Sequence, residues 1–240
     1  MADIRNRGRF ERDLARILGR VSQRRLNELV KLLGNPPDAT NVPDSWWESL
    51  DAEMRAALTS IVRDIYLQQA EGITSGVGIG IDWALVNRDA ADWARQYTFD
   101  LVKEIRKNTQ SAITAQLQGL LQNVVGTGIE QSLPLRDIRA ALAPTFGPVR
   151  SDMIATTEIT RAAAQGELAA VNQLREGGVD MRPKWFTRED EKVCPICGGL
   201  SDVVGDEHNQ FKHRRTGRMF DMPPAHPRCR CFVNWEVVRG

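Results

Sequence analysis

The residues with the clearest chemistry are four cysteines and one histidine gathered near the C-terminal end. Cys194-Pro195-Ile196-Cys197 is a C-x-x-C pair followed by Gly198, and Cys229-Arg230-Cys231 is a C-x-C pair preceded by His226. C-x-x-C followed by glycine is the shape of a metal knuckle, in which backbone N–H groups turn back toward the thiolates. On an extended strand, residues i and i+2 project to one face, so Cys229 and Cys231 can address the same ion. The simplest reading is a closed four-thiolate zinc site that joins the two ends of a loop. A standard zinc ribbon has C-x-x-C at its second pair, and His226 stands close enough to replace one sulfur. The metal candidates are therefore Cys194, Cys197, Cys229, Cys231 and His226, five donors for four positions. Nothing in the spacing suggests an open coordination position, so the expected zinc is structural.

Other uses of these atoms fit less well, with disulfides or simply reduced, buried thiols as the remaining alternatives. A disulfide needs an oxidising compartment, and the polar N-terminus Met1-Ala2-Asp3-Ile4-Arg5 has no hydrophobic signal region. A thioredoxin-like redox site needs a long helix after its C-x-x-C, where Gly198-Gly199 stands instead. A zinc deaminase needs Pro directly before C-x-x-C and an H-x-E segment upstream; Val193 holds the first position and the segment is missing.

The elements that must position this cluster are mainly helical. The chain has 240 residues, a formal net charge of +1, 26% charged and 42% hydrophobic residues. These are the values of an ordinary globular protein, with no general mandate for nucleic acid or membrane; from the polar N-terminus, synthesis and folding in a cytoplasm are expected. Phe10, Leu14, Ile17, Leu18 and Val21 form a helical stripe that Gly34-Asn35-Pro36-Pro37 stops. Eight arginines between Arg5 and Arg25 make this helix basic, a face read first as solvated and second as a contact for phosphates or an acidic partner. A second helix opens with capping-box spacing at Ser45-Trp46-Trp47-Glu48. The paired tryptophans read first as core anchors; because two adjacent aromatics cannot both face inward on a helix, a protein–protein contact for one of them is the second reading.

Gly72 to Gly80 reads as an inter-helix loop, because it lacks both the P-loop lysine and G-x-G-x-x-G spacing. A third helix carries Ala90, Trp93, Ala94, Tyr97, Leu101 and Ile105. A separate, glutamine-rich helix over Ala112 to Val125 ends at Gly126-Thr127-Gly128. Ser132 and Pro134 open a short helix through Leu142 that Pro144 closes. A last helix runs from Gly147-Pro148 to about Glu176, with Ala162, Ala163, Ala164 and Gly166 allowing close approach of a neighbour. Past Pro183 the helical period gives way to short β-like pieces, at Lys184 to Thr187, Gln210 to Lys212, Arg218 to Phe220 and Cys231 to Val238. Arg215-Thr216-Gly217 is a hairpin tip, and His208 and His213 beside it are expected to be exposed. So few strands cannot hold a large apolar core, and coordination energy is expected to compensate. The fold class expected is a mainly α N-terminal region of long helices, residues 1–131, followed by a small α+β C-terminal module with a structural metal site, residues 132–240.

One family has this order of residues. Thr157-Glu158 with Arg161 and Gly166 lies on a helix, then come Trp185, Asp190 and Val193-Cys194-Pro195-Ile196-Cys197. Pro223-Pro224-Ala225-His226-Pro227-Arg228-Cys229-Arg230-Cys231 completes it. The pattern resembles the phage Mu F-like head-morphogenesis, or minor capsid, proteins of tailed bacteriophages. The similarity covers about Ser132 to Trp235, and H-P-x-C-R-C is its most distinctive piece. The resemblance implies a minor protein of the virion head, associated with the portal vertex and linked to DNA packaging or ejection. Its implied partners are the portal protein and the major capsid or scaffold protein, with DNA contact possible and neither a membrane nor a small-molecule substrate. Some members add a toxin or enzyme domain after the shared module; with this chain ending at Gly240, a pure assembly role is expected. No nucleophile–base pair or paired carboxylates stand out, so no enzyme activity is expected. Glu158 and Arg161, one turn apart, read as an ion pair. The rival is a zinc-containing nucleic-acid-binding protein or nuclease using Arg214, Arg215, Arg218, Arg228 and Arg230 against phosphates.

Overall fold

The computed structural model describes residues 4–75, 82–125 and 133–238. Among them are five helices of three turns or more: α1 (Arg7–Leu32), α2 (Asp44–Thr74), α3 (Trp83–Val125), α4 (Leu135–Phe146) and α5 (Pro148–Glu176). The C-terminal part adds β1 (Met181–Phe186), a short helix α6 (Pro195–Leu200), β2 (Phe211–Lys212), β3 (Met219–Phe220) and β4 (Phe232–Val237). The expected fold class, long helices and then a small strand-and-helix module, is what the chain forms. Much of the Gly72 to Gly80 loop, Gly126-Thr127-Gly128, Ser132 and the expected 131/132 boundary lie outside the described residues.

Several boundaries differ from the sequence reading, each for a local reason. Helix α3 is one 43-residue element, not two. The polar stretch Arg106-Lys107-Asn108 holds no helix breaker, and Thr109 donates its hydroxyl to the Ile105 carbonyl without ending the helix. Pro144 sits inside α4 and does not close it. It lies in the last turn, and Gly147 stands at the C-cap in extended backbone. Helix α2 begins at Asp44, so Ser45 is already within the helix.

The chain divides into two compact units, neither of them a continuous stretch. One comprises Arg12–Thr59 and Arg95–Asp152; the other comprises Met1–Glu11, Ser60–Ala94 and Met153–Gly240. The first unit is helical, and Leu14, Leu18, Leu26, Leu29, Leu58, Ile113, Ile138 and Leu142 are fully buried in it. Both Trp46 and Trp47 are buried there too, as core anchors, and neither is left facing outward. Their rings meet edge to face at 4.8 Å, Trp46 donates its indole N–H to Glu28, and the Arg106 guanidinium covers Trp47. Two neighbours 100° apart on α2 are thus both enclosed because polar partners close over their rims. Arg25 is likewise buried and not solvated, bound by Glu28, Ser49 and Glu53.

The second unit carries the cysteines. Its helical part packs the lower half of α5 against α2 and α3, with Tyr66, Ala70, Val86, Ala90 and Ala170 in one apolar cluster. The small-residue stretch of α5 does admit a close neighbour: a Cβ added to Gly166 falls 2.1 Å from the Tyr66 carbonyl oxygen. Strands β1 and β4 pair antiparallel, with Trp185 opposite Val233 and Phe186 opposite Phe232. Strands β2 and β3 form a separate hairpin, with Gly217 at φ +69° in its tip. The core of this module is larger than its few strands alone allow. Trp185 and Phe211 are fully buried in edge-to-face contact at 5.0 Å, with Leu200, Met222, Val233, three of the cysteines and Ala164 of α5 around them. The missing apolar layer is supplied by α5.

Candidate metal centre

The first cysteine pair is set by α6. Cys194 is its N-cap, Pro195 its first residue, and the Cys197 backbone N–H points at the Cys194 sulfur at 3.4 Å. Pro at this position costs no hydrogen bond, because the first N–H groups of a helix have no internal acceptor. Gly198-Gly199 lies inside this helix, which stops after six residues, so the long helix of a thioredoxin-like site is not formed. Gly199 has its own reason: a Cβ there falls 2.0 Å from the His213 ring. His213, expected to be exposed, is 4% exposed and holds the knuckle from behind. Its Nδ1 accepts from the Arg215 and Thr216 backbone N–H groups, so Nε2 carries the proton and faces the Pro195 carbonyl at 3.4 Å. His208 is exposed as expected.

The second pair is held by α5 and by the N-terminal segment. Arg228 takes a left-handed conformation, φ +63°, which turns the chain between His226 and Cys229. Its backbone N–H donates to the Thr157 hydroxyl at 2.9 Å, and the Thr160 hydroxyl meets the Cys229 carbonyl at 2.8 Å. Arg7, 2% exposed, donates to the Arg230 carbonyl, to Thr160 and to Glu11. Arg7 and Thr160 escaped the sequence reading, because an arginine in a basic helix and a threonine in an alanine-rich one carry no sign of a target more than 60 positions away. The two pairs are tied together by Asp190 and Arg230, joined by two hydrogen bonds of 2.7 Å. Asp190 also accepts from the Lys192 backbone N–H, which starts the knuckle turn. Glu158 and Arg161 form the expected ion pair, at 3.7 Å.

These supports bring all five candidate donors together. Cys194, Cys197 and His226 form one group and Cys197, Cys229 and Cys231 another, with ligand atoms inside each group within 4.8 Å of one another. Cys197 belongs to both. The His226 Nε2 lies 3.1 Å from the sulfurs of Cys194 and Cys197, and the Cys197 and Cys229 sulfurs are 3.8 Å apart. Sulfurs about 2.3 Å from one tetrahedral ion stand about 3.8 Å from each other. A cavity of about 20 Å³ lies among Cys197, His226, Cys229 and Cys231, room for a single small occupant. All four cysteines are free thiols.

The orientation of His226 fits a metal. His226 Nδ1 lies 2.7 Å from the Pro227 carbonyl oxygen and so bears the proton, leaving the Nε2 lone pair toward the sulfurs. The Cys231 thiol is pushed up to about 12: its hydrogen bond with Cys197 lowers it, but hydrogen bonding to Cys229 and burial outweigh that, and the Trp185 indole N–H adds only a smaller lowering. The sulfurs cannot all ionise unaided. Hydrogen bonding to Cys229, then to Cys231, pushes the Cys197 thiol well up, while Cys229 is held low as the acceptor of the Cys197 and Cys231 protons. A dication is the partner that lets several thiolates share this space. The cluster can hold a metal ion, and its donors are those that sequence spacing picked out.

Comparison with known proteins returns no relative: no family model matches the chain, and no curated protein or solved structure is similar to it. Among the described residues, no helix is long and apolar enough to cross a membrane.

Proposed function

We propose that the protein is a minor head protein of a tailed bacteriophage, with zinc as the ion of its cysteine centre. In this reading it docks at the portal vertex or the capsid interior, on the portal, major capsid or scaffold protein, and assists DNA packaging or ejection. The observation that carries the reading is that four residues of the family-like pattern, far apart in the chain, serve one site. Thr157 holds the Arg228 backbone, Trp185 faces Cys231, Asp190 grips Arg230, and His226 completes the thiol cluster. These residues, spread over some seventy positions, together hold a rigid cross-linked module on a long helix. Zinc is favoured by the donor set, since thiolates with one imidazole at tetrahedral spacing suit it and a closed set leaves no substrate position. The test is affinity capture of tagged protein from infected or induced host cells. Enrichment of a portal-type oligomer supports the reading, and its absence together with free, soluble protein counts against it.

A second reading, a zinc-containing nucleic-acid-binding protein or nuclease, rests on Arg214, Arg215 and Arg218, which are exposed on the β2–β3 hairpin. Arg230 drops out of that set, because its guanidinium is committed to Asp190. DNA binding that weakens steeply with salt, and is lost when the three hairpin arginines become alanine, favours this reading over the first.

A further inference from the structure

The arginines of α1 fall into two populations. Arg7 and Arg25 are buried and bound inside the fold, whereas Arg12, Arg16, Arg20 and Arg24 are exposed, as is Lys31 in the last turn. Spacings of four from Arg12 to Arg24, then of three and four through Asn27 to Lys31, keep these residues within about a third of the helix circumference. The stripe runs about 28 Å from Arg12 to Lys31, at about 1.5 Å of rise per residue. Arg139 of α4, also exposed, reaches it from the side and donates its guanidinium to the Asn27 side chain. All six cations belong to the first unit. Two carboxylates temper them: Asp13 holds Arg16 at 3.2 Å, and Glu53 accepts from Arg24 while also binding Arg25. Arg12, Arg20 and Lys31 have no hydrogen bond or ion pair among the described residues. In a chain with a formal net charge of only +1, this concentration is a matter of placement and not of composition.

We propose that this face of α1, with Arg139 at its side, is a binding surface for the phosphate backbone of a nucleic-acid duplex, engaged without regard to base sequence. A duplex carries one negative charge per about 1.7 Å of its axis, a continuous anionic line that a row of cations along a rigid helix can follow. Arginine forks accept that role well, since their paired N–H groups match phosphate oxygens. The other members of the stripe, Asp13, Gln23 and Asn27, are polar. An acidic protein partner fits less well, because docked proteins build a desolvated core of apolar and aromatic side chains that this face does not offer. A single strand would need aromatic rings on which to stack its bases, and a bilayer interface would need an apolar side. Contacts to phosphates alone position a duplex and read no sequence. The surface uses no residue of the cysteine centre or of the β2–β3 hairpin, so it stands apart from both readings of function.

The test is fluorescence anisotropy of a labelled DNA duplex of arbitrary sequence, long enough to span the stripe, titrated with the full-length protein at rising salt. Binding is expected at low salt, with unrelated duplexes competing equally. Replacing Arg12, Arg16 and Arg20 together by glutamine should weaken it roughly tenfold or more and flatten the log–log salt slope by about 0.9 per arginine removed. Replacing the same three by lysine keeps the charge and should keep the binding, which separates loss of charge from loss of fold. The variant with Arg214, Arg215 and Arg218 changed to alanine should bind as the parent does. Absence of duplex binding at low salt overturns the proposal, as does an unchanged slope in the glutamine variant. Loss confined to the hairpin variant also overturns it and moves the contact to β2–β3. Tighter binding of a single strand, or retention by phosphatidylserine vesicles without duplex binding, overturns it in favour of those partners.

Discussion

The Arg230 guanidinium, placed between two candidate sulfur ligands, grips the Asp190 carboxylate through two hydrogen bonds of 2.7 Å. This fork joins the C-x-C segment to the start of the knuckle turn, so it holds the two halves of the centre at fixed separation. Lysine at this position keeps the charge and loses the fork. Arg230→Lys is expected to leave the fold intact and to speed metal loss to a chelator about tenfold, the scale of outer-shell changes at metal sites. A release rate equal to that of the parent protein contradicts this role.

Cys197 is the one donor common to both ligand groups. Protein purified under reducing conditions is expected to hold one zinc per chain by elemental analysis. Cys197→Ser should abolish binding, whereas Cys194→Ser and Cys231→Ser should differ from each other, since five donors compete for four places. The weaker effect identifies the spare thiol. Chelation of the parent protein should expose the segment from Trp185 onward to protease, because coordination supplies on the order of 10 kcal/mol to small zinc modules.

Gly199 leaves no room for a side chain against His213. Gly199→Ala should push the imidazole off the Pro195 carbonyl and destabilise the protein by about 1–3 kcal/mol in denaturant unfolding. An unchanged midpoint shows that the knuckle does not lean on His213.

The approach of α5 to α2 is tighter still, since a Cβ at position 166 meets backbone and not a movable side chain. Gly166→Ala is expected to cost about 3 kcal/mol or more, despite the better helix propensity of alanine. Thermal unfolding gives the sign directly: a higher midpoint would mean that propensity outweighs the clash.

Glu167 gives the pH dependence. Its carboxyl is raised to about 8 by burial, against 4.5 for an ordinary glutamate. Below the lower value both folded and unfolded chains hold the proton and there is no penalty. Between the two, only the unfolded chain releases it, so stability falls as pH rises and levels off above about 8. Glu167→Gln removes this slope, so its stability relative to the parent should improve between pH 5 and pH 8.5, by a few kcal/mol at most. Arg5, Glu71 and Glu236 line a cavity together with Glu167 and remain in both proteins. A constant difference across this range shows that Glu167 ionises normally.

The sequence by itself determined the local pieces. C-x-x-C and C-x-C spacing selected the donors, apolar stripes selected the helices, and Gly217 fixed the hairpin tip, because each depends on neighbours a few bonds away. It could not show that Trp46 and Trp47 are both enclosed, since the cover comes from Glu28 and Arg106. Nor could it show that Arg7 and Thr160 brace the cysteines, that His213 backs the knuckle, or that Glu167 is buried. Those facts depend on which surfaces meet across long stretches of chain. Burial and the satisfaction of buried polar groups are properties of that meeting, and only the tertiary structure decided them.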